Sequence, residues 1–320
     1  MTLAFVFPGQ GSQAIGMMAG FEGHPAVRAT FDEASRVLGQ DLWRLVAEGP
    51  EADLNQTVNT QPLMLTAGVA LWRAWRAADG ALPAVVAGHS LGEYSALVAA
   101  GAISFPDALP LVRFRAQAMQ EAVPAGVGAM AAIIGLDDAG TAAACAEAMA
   151  QLDGQVVEPV NYNAPGQLVI AGHREAVVLA ATAAKARGAK RTVMLPVSAP
   201  FHSALLKPAA QRLAARLATI DMTTPQLPVL HNVDVAEHHS PQAIRAALAR
   251  QASSPVRWTD TIRAMAARGV THIVECGPGK VLTGLTKRIA PEISGLALND
   301  GAAIRDVMAA VGGTAMGVAS

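Results

Sequence analysis

The segment Gly88-His89-Ser90-Leu91-Gly92 carries the most chemical content in this chain. It has the G-x-S-x-G form of a nucleophile elbow, in which a serine sits on a sharp strand-to-helix turn. The glycines are needed because such a turn leaves no room for Cβ atoms beside a strained nucleophile. A serine at a helix N-terminus faces backbone N–H groups and the positive end of the helix dipole, and both stabilise a developing oxyanion. The chemistry that follows is nucleophilic attack on an acyl group through an acyl-serine. The context supports it: an apolar run at 84–87 ends just before the motif, and a helical segment at 93–100, stopped by Gly101, follows it.

A serine nucleophile needs a base, and eight histidines are available. His238 and His239 sit in a polar loop, and His24, His173, His231 and His272 lie at element edges. His89 is beside the serine, but its side chain should diverge from that of Ser90. His202, in Ser198-Ala199-Pro200-Phe201-His202-Ser203, lies in a loop that can return to an active-site edge; a capping or surface histidine is the alternative. Gln10 lies in a loop after a buried strand, where α/β sheets bind ligands, although a solvated glutamine fits the position equally. Arg113 and Arg115 stand two apart on a helix, facing well-separated directions at about 100° per residue, so at most one enters a shared pocket. An arginine there would grip a carboxylate bidentately. Position alone favours two solvated arginines.

These residues need an α/β frame to hold them. Residues 2–7 read as a buried parallel strand that stops at Pro8-Gly9-Gln10-Gly11-Ser12-Gln13. Helical periodicity covers 31–46 and 61–78, and strand, glycine turn, helix is the α/β rhythm. Between 127 and 196 the pattern changes. Strands are expected at 128–134, 155–160, 167–171 and 191–195, and helices at 138–150 and 174–187, with 161–166 as a joining loop. The order βαββαβ is ferredoxin-like and predicts an inserted subdomain at 127–196, hinged at Gly126 and Pro196. The α/β core is then discontinuous, 1–126 and 197–310, with further strands at 227–230, 272–275 and 295–298. Residues 311–320, rich in Gly and Ala, are expected to form a flexible tail. Gly277-Pro278-Gly279-Lys280 lacks the Walker spacing and reads as a strand-to-helix turn.

Composition narrows the function classes. With 52% hydrophobic and 15% charged residues, wholesale disorder is excluded; at 4% aromatic, the core must be aliphatic. A formal net charge of −1 lacks the basic surplus that non-specific nucleic-acid or anionic-membrane binding needs. Cys145 and Cys276 form neither a disulfide framework nor a metal motif, which points to a reducing, cytoplasmic setting. The N-terminus lacks the basic region of a signal peptide, and the most apolar window, 84–103, is interrupted by His89, Glu93 and glycines.

Six segments in order closely resemble one family. They are Phe7-Pro8-Gly9-Gln10-Gly11-Ser12-Gln13, Gly88-His89-Ser90-Leu91-Gly92-Glu93, Arg115 with Met119-Gln120, Ser198-Ala199-Pro200-Phe201-His202-Ser203, Pro255-Val256-Arg257-Trp258, and Glu275-Cys276-Gly277-Pro278-Gly279-Lys280-Val281-Leu282. The chain resembles the malonyl-CoA:acyl carrier protein transacylases of bacterial fatty-acid synthesis up to about residue 300. The resemblance implies an α/β-hydrolase-like core with an inserted ferredoxin-like subdomain. It also implies Ser90 as nucleophile, His202 as base and then acid, and the backbone N–H groups of Gln10 and Leu91 as oxyanion hole. Arg115 would pair with the malonyl carboxylate, and Gln251 would orient His202 through its carbonyl. One departure is Ala116, where many members carry Gly after the arginine.

The implied substrates are malonyl-CoA and acyl carrier protein, with no resident cofactor or metal, no nucleic-acid or membrane partner, and a monomeric, cytoplasmic enzyme. Lys185, Arg187, Lys190 and Arg191, or Lys280, Lys287 and Arg288, are candidate docking patches for an acidic carrier. A discrete acyltransferase of a polyketide synthase or of malonate decarboxylase shares the same site. A serine esterase would need an acid between Ser90 and His202, for which Asp107, Asp137 and Asp153 are available. A scaffold that only binds partners would leave Ser90 unactivated.

Overall fold

The computed structural model describes residues 1–197 and 199–312. Ser198 and most of the expected tail at 311–320 lie outside the described residues. Nine strands are present among them: β1 (Leu3–Phe7), β2 (Val85–Gly88), β3 (Gly128–Ile134), β4 (Val157–Ala164), β5 (Gln167–His173), β6 (Arg191–Met194), β7 (Val229–Leu230), β8 (His272–Glu275) and β9 (Ser294–Ala297). They form a five-stranded sheet in the order β7-β2-β1-β8-β9 and a four-stranded sheet in the order β4-β5-β3-β6. The chain is a mixed α/β protein with one parallel and one antiparallel sheet.

Two compact units divide it. The first takes Met1–Arg113, Asp221–Leu230 and the chain from Ala264 onward; the second takes Phe114–Ile220 and His231–Arg263.

In the first unit every strand pairing is parallel. The central strands β1 and β2 are buried at every position, which is why they read as unbroken apolar runs rather than alternating ones. The register aligns Phe7 with Gly88 and Val6 with Glu275, so the segments leaving β1, β2 and β8 emerge side by side at the carboxyl edge of the sheet.

The helix expected over 31–46 is two helices, Pro25–Leu38 and Leu42–Glu48. Gly39, at φ +62°, ends the first, and the Asp41 carboxylate accepts from Arg44 N at 2.9 Å to start the second. Hydrophobic periodicity carried through the break because both helices bury one face.

In the second unit the antiparallel sheet alternates cleanly. Ala129, Ala131 and Ile133 of β3 pack with the small residues of helices Asp138–Gln151 and Arg174–Ala186, among them Ala144, Ala148, Ala176 and Ala180. Alanines let the helices approach the sheet closely. Met130 turns to the other face and joins Val160, Val169 and Ala171, against which Leu195, Val197 and Phe201 pack. The expected loop at 161–166 is mostly strand, since β4 runs to Ala164. Its outer edge is held from far along the chain: Val256 N donates to Val160 O at 2.8 Å, and Tyr162 N to Val256 O at 3.0 Å. No local signal could show that partner.

Candidate active site

β2 ends at Gly88, and the helix Gly92–Ala99 begins four residues later. Between them Ser90 adopts φ +51°, a left-handed conformation that costs a non-glycine residue about 1–3 kcal/mol. The turn is fixed by two close approaches. A Cβ on Gly88 would stand 1.8 Å from the Gly92 carbonyl carbon, and one on Gly92 would stand 2.0 Å from Phe7 O. His89 N donates to Phe7 O at 2.9 Å, so the elbow is bonded to the end of β1. Gly9 packs there too: a Cβ on it would lie 2.5 Å from His89 O and 3.7 Å from Leu91 N. Gly9, the residue before Gln10, thereby packs against the elbow beside Leu91 N. The Gln10 side chain is held aside, its Oε1 accepting from Thr57 Oγ1 at 2.6 Å.

In the second unit, Arg115, His202 and Gln251 form one connected group. Gln251 is the last residue of the helix Pro241–Gln251, so its carbonyl lies at the negative end of the helix dipole. His202 Nδ1 lies 2.8 Å from that carbonyl oxygen. A carbonyl only accepts, so Nδ1 carries the proton and the neutral ring's basic lone pair is on Nε2. The side chain of the same glutamine accepts from Arg115: Nη2 donates to Oε1 at 2.8 Å. Arg115, His202 and Gln251 are 1%, 4% and 0% exposed.

His202 sits at φ +68° in a braced turn. Ser203 Oγ donates to Pro200 O at 2.8 Å, and Ala204 N donates to Glu158 Oε2 at 2.7 Å. Neither the Glu158 anchor nor the Arg115–Gln251 bond was legible in the sequence, because the partners are 46 and 136 residues apart. Arg113 is placed elsewhere: its Nη1 donates to Leu38 O at 3.2 Å.

The remaining candidates divide as follows. Asp107, Asp137 and Asp153 are exposed, and Asp137 caps a helix by accepting from Gly140 N at 2.7 Å. The position at His202 Nδ1 that a hydrolase triad gives to a carboxylate is filled by the Gln251 carbonyl. In the first basic cluster Lys185 Nζ donates to Lys190 O at 2.7 Å, and Arg187 pairs with Glu147 at 2.9 Å. Lys280 and Lys287 are exposed. Among the described residues no group of acidic, His and Cys side chains could hold a metal ion, and no helix is long and apolar enough to cross a membrane.

The chain is similar to known proteins over nearly its whole length. The acyl transferase domain family matches residues 4–298. The malonyl CoA-acyl carrier protein transacylase of Escherichia coli K12 is 58% identical over 302 residues, covering 94% of this chain and 97% of that protein. The crystal structure of acyl-carrier-protein S-malonyltransferase from Burkholderia pseudomallei superposes with a TM-score of 0.94 at 58% identity, covering 97% of this chain and all of that one. A malonyl-transacylase solved in complex with its type II polyketide synthase acyl carrier protein superposes with a TM-score of 0.95 at 53% identity, over 97% of this chain and 100% of that one. On a match that runs nearly end to end at such identity, the chain belongs to the malonyl CoA-acyl carrier protein transacylase family of acyl transferases.

Proposed function

We propose that this acyltransferase moves the malonyl group from malonyl-CoA to the phosphopantetheine thiol of an acyl carrier protein through a malonyl-serine. Ser90 Oγ attacks the thioester carbonyl while His202 Nε2 takes its proton. The backbone N–H groups of Gln10 and Leu91 hold the oxyanion, and collapse expels the CoA thiolate, which takes the proton from His202. In the second half His202 deprotonates the carrier thiol, the thiolate attacks the malonyl-serine, and Ser90 leaves with the proton returned. Arg115 binds the free malonyl carboxylate.

The observation that carries this reading is the Arg115–Gln251–His202 group. A buried guanidinium and a correctly tautomerised histidine share one glutamine, which suits an acyl chain that ends in a carboxylate. The strained Ser90 turn and the names of the relatives support it. The reaction uses no resident cofactor. We read the first unit's sheet as α/β-hydrolase-like. Residues 127–196 are read as a ferredoxin-like insertion, which the strand order β4-β5-β3-β6 supports. The enzyme is proposed to act as a cytoplasmic monomer in fatty-acid synthesis. Service to a polyketide carrier is the second reading, favoured by the likeness to the transacylase solved with such a carrier.

The test is intact-protein mass after brief mixing with malonyl-CoA or acetyl-CoA, on wild type and Ser90→Ala, followed by addition of carrier protein bearing its thiol. A malonyl adduct on wild type alone, discharged by the carrier, is the expected result. CoA release with no adduct and no acyl-carrier product would replace transfer with hydrolysis.

A further inference from the structure

The geometry points to Glu275 as a positioning residue for the oxyanion hole: it holds the turn Cys276-Gly277-Pro278-Gly279-Lys280 against residues 8–12 and so sets the direction of the Gln10 backbone N–H. This rests on the acyl-serine reading above and adds a residue to it.

Glu275 ends β8 and is fully buried. Its Oε1 accepts from Leu282 N at 3.1 Å, and its Oε2 from Thr283 N at 2.8 Å and Thr283 Oγ1 at 2.9 Å. The carboxylate thus ties the end of a central strand to the first turn of the helix Val281–Ile289 and closes the turn between them. Burial pushes its pKa up, and the donors from Thr283 and Leu282 work against that rise.

The closed turn touches the β1 exit on both sides of Gln10. Cys276 N donates to Val6 O at 2.8 Å. Gly277 lies flat against the Pro8 ring, since a Cβ there would stand 2.4 Å from Pro8 Cγ. Gly279, at φ +85°, reaches Ser12, whose Cβ would be 3.8 Å from a Cβ on that glycine. The opposite side of the segment is wedged by Gly9 against His89 O. Residues 8–12 are therefore held between the elbow and the Glu275 turn. Only a carboxylate satisfies three donors with two oxygens here, because a carboxamide would turn its NH₂ toward one backbone N–H.

The experiment measures kcat and KM for malonyl transfer by the full chain, as wild type, Glu275→Gln and Gly277→Ala, with folded fraction checked by circular dichroism. Glu275→Gln is expected to lower kcat about tenfold, part of the roughly 10²–10³ that loss of an oxyanion donor costs, with KM for malonyl-CoA within about twofold. Gly277→Ala keeps the carboxylate but crowds Pro8, and is expected to lower kcat in the same way. Wild-type kcat in either folded variant overturns the inference. A drop that tracks lost folded protein in both variants also overturns it, since that is a stability role alone. Failure of the wild type to form a malonyl-serine instead overturns the acyl-transfer reading on which it rests.

Discussion

Replacing Arg115 with Met separates substrate recognition from catalysis. Arg115 is 1% exposed, so water cannot take the place of its guanidinium beside the malonyl carboxylate it is proposed to bind. That burial decides the regime: an exposed pair is worth about 0–1 kcal/mol, whereas stripping one partner from a buried pair costs about 3–5 kcal/mol. At about 1.36 kcal/mol per decade, acylation of Ser90 by malonyl-CoA should fall by roughly two to nearly four decades in kcat/KM. Acetyl-CoA has no carboxylate to strand, and its acylation rate should change little. Methionine keeps most of the stem volume, and removing a buried cation offsets the lost bond to Gln251 Oε1, so the melting temperature should move little. The assay is rapid-quench mass spectrometry of acyl-serine formation from the two donors. An unchanged ratio of malonyl to acetyl rates would refute the carboxylate assignment. A parallel collapse of both rates would show that Arg115 acts on the base or the fold.

Two further outcomes follow. Gln251→Leu removes the acceptor of Arg115 but keeps the main-chain carbonyl that orients His202, so malonyl acylation should drop about 10- to 100-fold, the value of roughly 1.5–3 kcal/mol for a hydrogen bond to a charged group, while acetyl acylation and its pH profile hold; a shifted pH profile would contradict it. Burial pushes the Cys145 thiol up to about 12 and the Cys276 thiol well above its ordinary value, so both stay protonated and inert at pH 8. A disulfide-exchange reagent should find neither thiol in native protein and both in denaturant, and a fast-reacting native thiol would contradict the buried placement.

Legibility differed by residue. The Ser90 elbow could be read directly because its constraints are local: two glycines, an apolar strand before and a helix after. One strand of each sheet was legible for the same reason: β3 of the antiparallel sheet and β8 of the parallel sheet begin and end where alternation and apolar runs place them. The break at Gly39 was written in the sequence as well, as a glycine two residues before a capping aspartate, but a continuous apolar face masked it. On spacing His202 competed with a capping or surface histidine and Gln10 with a solvated loop glutamine, and resemblance to a family was what favoured the functional reading of each.

Local chemistry along the chain determined most of the strand positions, the left-handed turn at Ser90 and the acyl-serine chemistry proposed for it, because backbone sterics and hydrophobic periodicity act over a few residues. Tertiary structure alone decided which arginine is buried, what faces it and which atom of His202 carries the proton. Arg115 and Gln251 are 136 residues apart, and the carbonyl that orients His202 is available only because a helix ends at that residue. Bonds of that kind depend on where separate elements come to rest, and no spacing in the sequence encodes that distance.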